Sequence, residues 1–225
     1  MSSYNYITEN FISLEQLSTL SGATTREIES MIAAQCLPDA AYQLKGECTI
    51  TSIFGDYVEE IRQSFFPNSY VDMVRQILSD PRALEDIARS YKQVFYDGYR
   101  GYLIEFDAQN YGFHHLFDAS GQVSGAAADA FFDSEWEHYR NGVYGLCTNS
   151  ASIEEIATKE AMIARIKFLM SKESPLSAPD TEMLKKAVDM LDKASAQFAP
   201  HEREASSRGK YIDAVNRQYF DGEAC

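Results

Sequence analysis

The sequence predicts a mostly α-helical protein, with a small helix-turn-helix-like unit over residues 1–52 and a larger, bundle-like helical domain over 53–225. Two observations carry that expectation. Capping boxes recur along the chain: Ser13–Gln16, Thr24–Glu27 and Ser152–Glu155 each place a hydroxyl three residues ahead of a Glu or Gln. Each is followed by apolar residues at three- and four-residue spacing, which puts them on one helical face.

Taken in order, Leu14, Leu17 and Leu20 form the inner face of a first helix that Gly22 closes. Thr24 opens a second, with Ile28, Met31 and Ile32 inward, and Leu37-Pro38 stops it. This pair resembles a helix-turn-helix, and more loosely the start of a MerR-like winged helix, in which residues 42–50 would be the wing. A DNA-reading helix carries basic or amide side chains near its N-terminus. Here Arg26 stands beside Glu27 and Glu29, and residues 1–66 hold nine acids against three bases. Packing or partner docking is therefore the preferred role for this unit.

Residues 54–66 bring Phe54, Tyr57, Ile61, Phe65 and Phe66 before Pro67, and Val71, Val74, Ile77 and Leu78 follow with helical spacing. Asp80-Pro81 reads as a helix start, leading through Leu84, Ile87, Tyr91 and Phe95. Gly98 and Gly101 precede residues 102–106, which suit either a helix extension or a short strand. Residues 112–128 are irregular, and the adjacent His114 and His115 point apart on any regular element. Helices are expected over 129–140, from Ser152 through Met170, over 177–198, and from Pro200 onward.

Composition bounds the function. The formal net charge is −14, which disfavours nucleic acid and anionic membranes as partners. No apolar run approaches the ~18 residues of a membrane span, and the opening residues lack a basic and apolar leader. The cysteines Cys36, Cys48, Cys147 and Cys225 have no C-x-x-C spacing and read as free thiols of a reducing cytoplasm.

Three elements place an ionisable group on the side expected to be buried: Glu135, Lys159, and His201 with Arg208. Buried charges are normally paired. Either these groups form an internal ion-pair network, or they line a pocket in which Lys159 or His201 is the acid or base, with Arg208 holding a carboxylate. Cys147, in a glycine-flanked loop ahead of a helix, is a candidate nucleophile with His201 as its base, or an inert buried thiol. Glu135-x-x-His138 matches half of a di-iron ligand set, but no second copy exists, so no metal is expected and the cofactor stays unknown.

Trp136, Gly142-Val-Tyr-Gly-Leu-Cys147, Lys159-Glu160, Phe198-Ala-Pro-His-Glu-Arg203 and Ser206-Ser-Arg208 together resemble a family of small bacterial proteins of unassigned activity. That family is described generically as natural-product biosynthesis proteins. The resemblance implies a bacterial cytosolic protein and carries over no catalytic residue.

The expectation is thus an enzyme or small-molecule-handling protein of bacterial specialised metabolism, with acid/base chemistry in a polar pocket between helices. Lys159, His201, Glu135 and Cys147 are its catalytic candidates. Arg208, Arg203, Tyr144 and Trp136 are its substrate-binding candidates, Arg203 being the weakest by helical phase. The competing class is a regulatory or docking protein acting through residues 11–45, with a protein partner or a homo-oligomer.

Overall fold

The computed structural model describes residues 1–220 and is mostly helical, with one small antiparallel sheet; the expected thiol of Cys225 lies outside the described residues. Helix α1 (Ser3–Asn10) leads into strand β1 (Phe11–Ser13), then α2 (Leu14–Ser21) and α3 (Thr25–Ala33). Two of the three expected capping boxes form: Ser13 and Thr24 each accept from the amide three residues on, and Gln16 and Glu27 reach back to the cap amide; Ser152 caps the Glu155 amide, but the Glu155 carboxylate turns to Ser150 instead. Gly22 ends α2 at φ +83°.

Strands β2 (Tyr42–Ser52) and β3 (Gly55–Pro67) form one long hairpin, and the sheet order is β1-β3-β2. The sheet corrects the nearly all-helical expectation for residues 54–66. Beyond its base the hairpin is exposed on both faces, so its pattern carries little of the alternating burial that marks a strand in sequence. The boundary expected after residue 52 falls at the hairpin tip.

Helix α4 (Tyr70–Ser79) is followed by the long α5 (Leu84–Glu105). Asp80 does not start that helix. Its carboxylate is engaged by the Arg82 guanidinium and amide, which turn the chain, and holds a pKa down at about 2. Helix α5 runs through Gly98 and Gly101, and the missing side chain at Gly98 lets Ile153 pack against it.

Short turns at 108–110 and 114–116 lead to α6 (Ala126–Arg140) and α7 (Val143–Cys147). Gly142 between them is held at φ +75°, where a Cβ would lie 2.6 Å from the Ala40 carbonyl oxygen. Only glycine satisfies both conditions.

Helix α8 (Ile153–Met170) packs lengthwise on α9 (Ala178–Ala194), joined in one apolar core by Leu169, Leu184, Leu191, Ile212 and Val215. A second core runs from Leu17 and Ile28 through Tyr70, Tyr99 and Phe132 to Trp136, so the N-terminal elements are packed into the larger helical body. The described residues end with a run of turns over 200–206, a wide helical turn (Gly209–Asp213) and α10 (Ala214–Tyr219). Among the described residues no helix is long and apolar enough to cross a membrane.

Candidate functional site

The apolar arcs of α6 and α8 bring Glu135 and Lys159 inward, 8% and 7% exposed. Glu135 Oε2 accepts hydrogen bonds from the phenols of Tyr144 on α7 and Tyr99 on α5, the second at 3.1 Å. Its other oxygen lies 3.6 Å from His138 Nδ1, which reaches the surface. Lys159 donates to Glu160 Oε1 at 2.7 Å and stands 5.9 Å from the centre of the Tyr144 ring. Cys147 is buried in the same neighbourhood.

Burial pushes the Glu135 carboxyl upward, and Glu160 adds to this, while the hydrogen bonds from Tyr144 and Tyr99 oppose it. Burial also opposes the charge on Lys159, but the acidic groups Cys147, Glu160 and Glu135 outweigh it and raise its pKa. The Cys147 thiol is pushed up to about 11, chiefly by burial.

The setting behind the nucleophile expectation does not form. Cys147 is the last residue of α7, with the N-cap of α8 at Ser152, so no helix N-terminus lowers its pKa. It behaves as a packed thiol.

The structure therefore joins Glu135, Tyr144, Cys147 and Lys159, and adds Tyr99 and Glu160. It does not bring in the other four candidates, His201, Arg203, Arg208 and Trp136. His201 is a correction: its side chain is more than half exposed, and Nδ1 lies 2.7 Å from Ser3 Oγ on α1. The expected helix from Pro200 is broken into turns after Phe198, whose φ is +62°, and the helical phase holds only from Arg208 on.

Arg208 is buried, as its position on the Ile212–Val215 face requires, and its donors are taken up within the chain. Its guanidinium donates to the carbonyls of Asp192, Ser195 and Ala196 at 2.9–3.0 Å and pairs with the Asp192 side chain. The C-terminal carbonyls of a helix have no partner of their own, and Arg208 supplies one for α9. Arg203, expected on the opposite side of its helix, forms a two-point ion pair with Asp213 at 2.7 and 2.9 Å. It lines a polar groove with Glu204, Gly209 and Arg217.

Trp136 meets a second concave surface, this one largely apolar. A groove of about 430 Å³ runs between α4, α5, α6 and the start of α8, lined by Met73, Tyr91, Phe95, Trp136, Tyr139 and Ile153. Trp136 stacks on Tyr139, with ring centroids 5.3 Å apart and 27° between planes, and meets Phe95 edge-on at 5.4 Å. Asp72, Ser69, Gln76, Ser150 and Ser152 supply polar groups around it. Sequence reasoning missed Met73, Phe95 and Tyr139 as lining because they read as ordinary apolar positions. Glu160, part of the Lys159-Glu160 segment of the family resemblance, is not among the sequence-based site candidates.

A family model described as a family of unknown function (DUF6058) matches residues 91–220, more than half of the chain. The chain belongs to that family. The match begins within α5 and takes in Glu135, Trp136, Tyr144, Cys147 and Lys159, while the N-terminal helices and the hairpin precede it. No curated protein and no solved structure matches the chain.

Proposed function

We propose that the protein handles a small, flat, largely apolar molecule in the Trp136 groove. The observation that carries this is a preformed concave surface with an aromatic floor and a few polar groups at its edge, the usual make-up of a small-molecule site. The resemblance to natural-product biosynthesis proteins supports a place in bacterial specialised metabolism, in the cytoplasm.

The Glu135–Lys159 cluster then serves as the internal network behind the groove rather than as an acid/base centre. The groove is lined by side chains other than Glu135, Tyr144, Cys147 and Lys159. Native mass spectrometry of the protein from a bacterial host tests the reading. A retained small molecule that disappears in Met73→Glu supports it. A retained molecule unaffected by Met73→Glu contradicts it.

A second reading has its own observation. The order helix, strand, helix, helix, hairpin with sheet order β1-β3-β2 supports a winged-helix-like module, and its acidic balance favours a protein partner over DNA. Binding of duplex DNA that is lost in Arg26→Glu would overturn the preference for protein.

A further inference from the structure

The hairpin carries features that its own chain does not explain. Strand β2 is a sheet edge along its whole length, and β1 covers β3 only at Phe65, Phe66 and Pro67. Opposite one another across the hairpin stand Lys45 and Arg62, and then Glu47 and Glu60. Like charges directly opposite destabilise a strand pair; Arg62 reaches the neighbouring Glu60 at 3.4 Å between two exposed side chains, while Lys45 and Glu47 make no ion pair among the described residues. These four side chains flank a shallow hollow of about 310 Å³ that includes Gly46 and Ile61.

Gly46 has no local requirement: a Cβ there would meet nothing within 4 Å, and its φ is ordinary. A glycine inside a strand often marks the close approach of another backbone. At the tip, Ile53 and Phe54 are 94% and 93% exposed, and Ile50, Tyr57 and Val58 are about half exposed or more. Phe54 and Tyr57, aromatic side chains of ~150–250 Å² each, join the three aliphatic residues in one apolar patch at the tip.

We infer that β2 pairs antiparallel with β2 of a second copy of this chain, about a twofold axis at Gly46. That register sets Lys45 opposite the partner's Glu47, and Glu47 opposite the partner's Lys45. The charges then run Arg62, Lys45, the partner's Glu47, the partner's Glu60. Two cations meet two anions in each row, so the unfavourable pairs within one hairpin become half of a self-complementary quartet. The same register lays each apolar tip along the base of the other hairpin and removes both exposed β2 edges, which otherwise template unwanted pairing. Such a contact is isologous and closes as a dimer.

Sedimentation velocity of the full chain at micromolar concentration tests this. The expected species has twice the 25.4 kDa chain mass. Lys45→Glu should convert it to monomer, and the double change Lys45→Glu with Glu47→Lys should restore the dimer. Neither variant threatens the hairpin, because Lys45→Glu turns the Lys45–Arg62 repulsion within the chain into attraction. Leu44→Cys reports the register, since it falls opposite the partner's Cys48 and should yield an interchain disulfide under mild oxidation. A monomeric wild type overturns the inference. So does a dimer that persists in Lys45→Glu, or one that fails to cross-link in Leu44→Cys.

Discussion

The Tyr144 phenol donates to a carboxylate oxygen of the buried Glu135, and that oxygen also receives the Tyr99 hydroxyl. Two donors on one oxygen do not offset the burial, and the carboxyl titrates above its ordinary value of 4.5. The folded state therefore holds this proton more tightly than the unfolded chain. Stability from Glu135 is fully present below pH 4.5 and falls as pH rises through the folded pKa. In Glu135→Gln, which keeps an acceptor for both phenols, that decline should vanish from a plot of melting temperature against pH. An unchanged plot would contradict the placement of Glu135.

Lys159 and Cys147 act at the alkaline end. Both are raised in the folded protein, so each contributes stability below its unfolded pKa that is lost as pH climbs through the folded one. For Cys147 the window runs from about 9 to about 11. Denaturation midpoints should fall across this range, and less steeply in Cys147→Ala.

The same burial predicts slow chemistry at Cys147. At pH 8 the half-buried Cys48 should react with a thiol reagent well before Cys147. Mass mapping after timed alkylation measures the order. Rapid labelling of Cys147 in the folded protein would revive it as a nucleophile.

Arg208 and His201 separate structure from surface. Arg208→Ala leaves three helix-end carbonyls and Asp192 without their partner and should cost about 3 kcal/mol. His201→Ala removes one exposed hydrogen bond and should cost less than about 1 kcal/mol. Urea denaturation of the two variants checks both. Equal costs would mean that residues 200–208 form the continuous helix first expected.

Helical phase made part of this site legible. Glu135 and Lys159 sit on long, regularly spaced helices, where one residue sets the direction of the next, and both are buried as expected. Arg208 was placed correctly, but its partners come from the end of another helix and no spacing shows them. His201 was misplaced because its phase was carried back from Ile212 through turns that begin at Phe198. The hairpin lay hidden because both its faces are exposed, leaving no alternation to read. Trp136 was marked, yet the groove it floors is a relation among α4, α5 and α6 that no single segment contains.

Trp136 is the only tryptophan in the chain, so excitation at its red edge selects a single donor, on the groove floor. Titration with anilinonaphthalene sulfonate, an aromatic fluorophore that carries one sulfonate, gives the most direct measurement. Energy transfer from Trp136 should saturate at one probe per chain and be lost in Met73→Glu. Absent transfer, or transfer that Met73→Glu leaves intact, would contradict a binding groove at Trp136.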